Sequence, residues 1–184
     1  MPWSFALPQG VFASPLLSVA TPIVGGTVTA LLVNRNKTQN TYRDLRQPPF
    51  SPPSWLFAPA WTALYGLMGY ASHHATVTAS RSLSMAVHDA NHSAQTLYTT
   101  QLALNFLWMP LFFGVGRPAA ALGDMALLLG NVAVLLVNWW DADRTAFWLM
   151  TPYAAWLGYA AYLNAGVGYL NGWSLPEKKT KRSE

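Results

Sequence analysis

Residues 11–33 run for 23 positions without a charged side chain. At 1.5 Å per residue, a helix of that length covers about 30 Å, the thickness of a bilayer's hydrocarbon core. Four more apolar runs follow, at about 54–75, 96–114, 119–140 and 146–170, and Asp124 is the single Asp, Glu, Lys or Arg within them. Only 10% of the residues are charged and 52% are hydrophobic, where a soluble domain carries about 25% charged residues. A chain of 184 residues cannot hide that much apolar surface from water, so the bilayer is the expected solvent. The expected fold is all-α: a polytopic membrane protein, one domain over residues 1–184 built as a bundle of five transmembrane helices, with a basic polar tail at 171–184.

Charge placement supports the count of five. An odd number of spans puts the termini on opposite sides. Arg35, Lys37, Arg43, Arg46, Arg117, Lys178, Lys179, Lys181 and Arg182 then share one side, against Arg81 and Arg144 on the other. Basic residues collect on the cytoplasmic side of membrane proteins, which predicts a cytoplasmic C-terminal tail. The first ten residues lack the basic start of a secretory leader, so the N-terminus is expected to be retained, with Trp3 and Phe5 at headgroup level. No basic face with interleaved aromatics exists outside the apolar runs, so nucleic acid is not an expected partner.

Catalytic chemistry has little to rest on. There is no cysteine, and no paired carboxylates within a span, phosphate-binding glycine loop or nucleophile–base arrangement is visible. Asp141 and Asp143 fall at a helix junction, where capping by Asp143 or Thr145 accounts for them. The basic stretch 34–47 reads as a loop, as does 73–93, which holds all four histidines. His88 and His92 are four apart, a spacing that puts two imidazoles on one helix face. No third ligand is close, and no metal site is assigned.

The informative pattern is aromatic and amide side chains inside the apolar runs. Tyr98, Gln101, Asn105, Trp108 and Phe112 recur at helical spacing on one face of the third run. Gln and Asn are costly to turn toward lipid, so this face should point into the bundle. Tyr153, Trp156, Ala160, Leu163 and Val167 form a comparable stripe in the fifth run, with Ala160 leaving room beside the Trp. In the second run Trp61, Tyr65 and Met68 follow the proline-broken lead-in 48–53, PPFSPP. Aromatic walls with a few uncharged polar groups suit flat hydrophobic ligands. Gly123 and Gly130, with Ala126-x-x-x-Gly130, offer a small-residue face for close helix approach.

Three segments also carry a family resemblance: PPSWLFAPAWTALYGLMGYA, LALNFLWMPLFFG and PYAAWLGYAAYLN. In order and spacing they resemble the TspO/translocator protein family, the tryptophan-rich sensory proteins also called peripheral-type benzodiazepine receptors, of eukaryotic type. The resemblance implies a five-helix membrane bundle, often a homodimer, that binds porphyrin, haem-like tetrapyrroles, sterols and benzodiazepine-type compounds. Its pocket positions fall here on Trp61, Tyr65, Gln101, Asn105, Trp108, Trp156, Ala160 and Leu163. It implies the mitochondrial outer membrane, with the endoplasmic reticulum or another endomembrane as alternative.

The expected function is tetrapyrrole transport, sensing or scavenging without an obligatory cofactor. Enzyme-like, light- or oxidant-driven porphyrin breakdown is the alternative, and a lipid or sterol transport role is a further one. Two features depart from the family pattern. Tyr169 is followed by no basic residue until Lys178, which breaks the apolar–Tyr–basic motif proposed for cholesterol. The histidine-bearing stretch 73–93 leaves His88 and His92 as candidate haem ligands.

Overall fold

The computed structural model describes residues 5–33 and 35–174. Trp3 and the basic tail residues Lys178, Lys179, Lys181 and Arg182 lie outside them. The described residues contain helices and no strands: α1 (Gln9–Ala13), α2 (Pro15–Leu32), α3 (Arg35–Asp44), α4 (Phe57–Ser80), α5 (Met85–Met109), α6 (Pro118–Ala142) and α7 (Arg144–Leu170). A 3-10 turn at Ser54–Leu56 leads into α4, and a π turn at Pro110–Gly114 closes α5. The five long helices pack as a ring in the order α2, α4, α7, α6, α5.

Polarity is inverted relative to a soluble bundle. Leu16, Val24, Val28, Leu31 and Leu32 on α2 and Leu127, Val134 and Val137 on α6 face outward, while Gln101, Asn105 and Asn164 are buried. Apolar side chains outside and amides inside are what a lipid solvent favours. By length and apolar character, α2 and α6 each suffice to cross a membrane. The amides and tyrosines that α4, α5 and α7 turn inward, with the histidines on the other faces of α4 and α5, lower their mean hydropathy.

Two stretches read as loops are helices instead. α4 continues to Ser80 and α5 starts at Met85, so only 81–84 connect them. Ala71, Ala75 and Ala79 carry the buried stripe of α4 past the end of its apolar run, and Ala94 does so at the start of α5. The polar residues of 73–93 therefore occupy the remaining faces of two helices. Likewise α3 fills most of 34–47, which contains no Pro or Gly before Pro48.

Prolines and glycines set the local geometry. Ser14 caps α2, accepting from Leu17 N at 3.4 Å, and Pro15 occupies its first turn, where no donor is missed. Pro22 deprives the Ser18 carbonyl of its usual partner four residues on, and Gly69 of α4 lies directly against that carbonyl. Pro110 opens the π turn, its carbonyl accepting from Val115 N at 2.8 Å. Gly116, at φ 72°, then reverses the chain ahead of Arg117 and Pro118. Asp143 caps α7, accepting from Thr145 N and Ala146 N at 3.0 and 3.1 Å. Its other oxygen meets His74 Nδ1 at 2.6 Å, pinning the start of α7 to α4.

Candidate ligand-binding site

The inward faces of α4, α5 and α7 meet in a continuous hydrogen-bonded relay. The Tyr65 hydroxyl donates to Asn105 Oδ1 at 2.7 Å, and Asn105 Nδ2 donates to the Tyr153 hydroxyl at 3.0 Å. Tyr153 in turn donates to Gln101 Oε1 at 2.9 Å, and Gln101 Nε2 reaches Met68 Sδ at 3.7 Å. Each group supplies what its neighbour lacks, so amides that would be expensive in hydrocarbon are satisfied. Gly26 of α2 leaves the space that the Tyr65 ring fills.

An aromatic wall stands beside this relay. The Trp61 ring lies 5.3 Å from Tyr65, 6.2 Å from Tyr153 and 6.4 Å from Trp156, centroid to centroid. Phe57 and Tyr159 flank Trp156 at 6.2 and 5.7 Å. The Trp156 Nε1 is buried without a hydrogen-bond partner. An indole N–H can only donate, so the wall holds one uncommitted donor, one that a ligand's acceptor atom could occupy.

The lead-in 48–53 forms a strap fastened to α7. Tyr159 donates to the Phe50 carbonyl at 2.7 Å, Tyr162 to the Pro49 carbonyl at 3.0 Å, and Tyr42 of α3 to the Pro52 carbonyl at 2.7 Å. Pro48 packs on Gly166, and Asn171 exchanges two hydrogen bonds with the backbone of Arg46. Burial first, and then the nearby Tyr159 phenol, push the Tyr42 hydroxyl up from its ordinary value, keeping it a donor at neutral pH. Phe50 holds φ 63°, a left-handed conformation that costs a bulky residue about 1–3 kcal/mol. The Tyr159 bond to its carbonyl helps hold it there.

The eight expected site residues divide between two groups. Trp61, Tyr65, Gln101, Asn105 and Trp156 are joined by the relay and the ring contacts. Ala160 is half-buried one turn beyond Trp156, and Leu163 is buried on the next turn. Trp108 belongs to another cluster: it stacks on Phe112 at 5.1 Å and donates to Asn164 Oδ1 at 3.0 Å. Asn164 passes the connection to the Pro118 carbonyl at 2.9 Å. Periodicity alone did not select Tyr153 as the hub or Asn164 as the partner of Trp108. Tyr153 precedes Trp156 by three residues on the stripe already identified, which was its available signal.

The histidines stand at the far end of the bundle. His73 Nδ1 pairs with the Phe12 carbonyl at 2.8 Å, His88 Nε2 with the Ser82 carbonyl at 3.0 Å, and His92 is exposed. Among the described residues no group of three or more His, Cys, Asp or Glu side chains could hold a metal. On α4, His73 lies 12 residues beyond Trp61, roughly 18 Å along the helix. Asp124, on the second turn of α6, is buried with both carboxylate oxygens unpartnered.

Comparison with known proteins places this chain among relatives. The family model described as the TspO/MBR family matches residues 18–170. The chain is 45% identical to the translocator protein homolog of Schizosaccharomyces pombe over 75% of its own length and 82% of the relative's. It is 37% identical to the human translocator protein over 74% and 80%. With the tryptophan-rich protein TspO of Archaeoglobus fulgidus it shares 35% identity over 86% and 95%.

Proposed function

The chain belongs to the TspO/MBR family of membrane proteins, and from that premise we propose that it binds a flat hydrophobic ligand of the tetrapyrrole class, porphyrin or haem, at the Trp61–Trp156 wall, for transport, sensing or scavenging. The observation that carries the reading is the wall itself: Trp61 in ring contact with Tyr65, Tyr153 and Trp156, and a buried Trp156 N–H with no partner. Offset and edge contacts with a macrocycle replace those the rings now make with each other. The free indole N–H selects a ligand that brings an acceptor to the wall.

The relay defines the polar side of the site. Tyr65, Asn105, Tyr153 and Gln101 carry no charge, so they orient a ligand without imposing an ion pair. The histidines lie away from the wall, so we assign the ligand to ring and hydrogen-bond contacts rather than to iron coordination by His88 or His92. The same uncharged lining supports a binder without conventional catalytic groups. A sterol ranks below a tetrapyrrole, because the basic residue expected soon after Tyr169 is missing.

We extend the reading to the membrane. All five long helices are taken as spans, with α3, the strap and Arg117 at one end and Arg81 and Arg144 at the other. That segregation supports a cytoplasmic tail. The mitochondrial outer membrane and a homodimer are part of the proposal and rest on family kinship. The Ala126–Gly130 face supports the dimer, since a Cβ at Gly123 or Gly130 would meet nothing within the chain.

Titration of the purified protein with protoporphyrin tests the function. Saturable quenching of tryptophan fluorescence with an unchanged porphyrin spectrum is expected. Protein-dependent loss of the Soret band would replace binding with breakdown, and absence of saturation would end the tetrapyrrole assignment.

A further inference from the structure

A narrow crevice opens at the end of the bundle away from the strap, between α1, α4, α5 and α6. Its empty space is about 150 Å³ including the open mouth, and it is too tight in this conformation for a water molecule to centre in it. Phe12, Ala75 and Ala94 give it apolar sides, the half-buried Thr76 and Asn91 mark its outer rim, and Gln95 is buried beside them. No Lys, Arg, Asp or Glu lines it.

Two of the chain's unpartnered polar groups line this crevice. Tyr98 is 1% exposed and Trp139 is 2% exposed, yet neither the Tyr98 hydroxyl nor the Trp139 Nε1 has a hydrogen-bond partner. Ser72 stands beside the Tyr98 hydroxyl and gives its own hydrogen to the Gly69 carbonyl at 2.8 Å, so toward Tyr98 it offers only an acceptor and leaves the lone pairs of the phenol unmatched. Gln95 is committed to Gln9 and Thr76. A polar group left unpaired in a low-dielectric interior is unfavourable, and two such groups, one on α5 and one on α6, belong to residues that line this one crevice.

We propose that this crevice is a second ligand site, which takes the oxygen head of a neutral amphiphile dissolved in the bilayer. Trp139 can only donate, so the incoming atom must accept, which excludes an ammonium head. No cationic side chain lines the crevice, so an anionic head gains nothing over a neutral ester or hydroxyl. The lining passes from apolar to polar where α4, α5 and α6 reach the end of their apolar runs, the depth at which a lipid's ester and hydroxyl oxygens lie. The site shares no residue with the Trp61–Trp156 wall and does not depend on its ligand.

The test uses the full chain, with ¹⁵N-labelled indoles, in lipid nanodiscs. The Trp139 N–H resonance is assigned by its loss in Trp139→Phe. Glycerol monooleate is titrated against octadecene, which offers a chain of similar length without oxygen. A saturable downfield shift of the Trp139 signal with the monoacylglycerol alone is expected. Tyr98→Phe should weaken it about fivefold, the scale of one lost hydrogen bond, while Trp156→Ala leaves it unchanged. Should Tyr98→Phe fail to fold, Asn91→Ala at the mouth gives a second reading in the same direction. An equal response to octadecene, a shift without saturation, or full affinity in the variant that folds would each overturn the proposal.

Discussion

Gly69 of α4 rests against the main-chain carbonyl of Ser18 on α2, the carbonyl whose helical partner Pro22 removes. Each residue answers the other. The proline frees an oxygen, and the glycine lets a second backbone come close enough to cover it, with Cα–H groups as weak donors. Ser18 adds its own bond to the Val11 carbonyl at 2.6 Å, tying the α1–α2 junction to the same crossing.

Gly69→Ala should therefore destabilise the fold by about 1–3 kcal/mol, because the new Cβ meets backbone that cannot move aside. Gly66→Ala, one turn earlier and facing open space, should be neutral or raise stability by up to about 1 kcal/mol. Thermal unfolding of both in one detergent gives the comparison, and equal melting temperatures would refute the close crossing.

Tyr153→Phe removes a hydroxyl that both accepts from Asn105 and donates to Gln101. Two buried amides lose a partner at once, at a cost of about 1–3 kcal/mol. Denaturation midpoints should fall further than for Tyr169→Phe, whose ring is 78% exposed.

The two aromatic groups should separate functionally. Trp61→Ala and Trp156→Ala are expected to weaken protoporphyrin binding at least tenfold, a loss of about 1.4 kcal/mol or more. Trp108→Ala should act mainly on stability, since it strips Phe112 of its stacking partner and leaves Asn164 Oδ1 unpaired. Trp173→Ala, outside both groups, should leave binding intact. Quenching titrations beside melting curves resolve the two effects.

Releasing the strap is a kinetic experiment. Tyr159→Phe with Tyr162→Phe deletes the bonds to the Phe50 and Pro49 carbonyls, each worth about 0.5–1.5 kcal/mol. Ligand association and dissociation, followed by stopped flow, should both accelerate severalfold with a smaller change in affinity. Unaltered rates would show that the strap does not control access.

Asp143→Ala removes the cap of α7 and its link to His74 together. A stability loss of about 1–2 kcal/mol is expected from the cap. Asp143→Asn, which still accepts from Thr145 N and Ala146 N, should recover most of it.

Much of this architecture was legible in the residues. Asn105 and Gln101 turn inward because amides are unfavourable against lipid, and the stripe holding them was visible as a period. The same logic misplaced the helix ends: His73 and His74 looked like the start of a loop, yet Ala75 and Ala79 keep the buried stripe going beneath them. Hydropathy averages all faces of a helix, whereas packing reads only one. The partner of Trp108 escaped for a different reason, since Asn164 lies 56 residues away on a helix whose position around the ring no local pattern specifies.

By itself, the sequence determined the solvent, the helical class and the inward faces of α4, α5 and α7, because charge depletion and side-chain period act within a segment. The tertiary structure decided which inward groups meet. Tyr65, Asn105, Tyr153 and Gln101 close on one another, Trp108 is set apart from Trp61, and the strap is fastened at Phe50. Those pairings depend on the order of helices around the ring and on close crossings such as Gly69 on Ser18. Both arise only when separate segments compete for the same interior space.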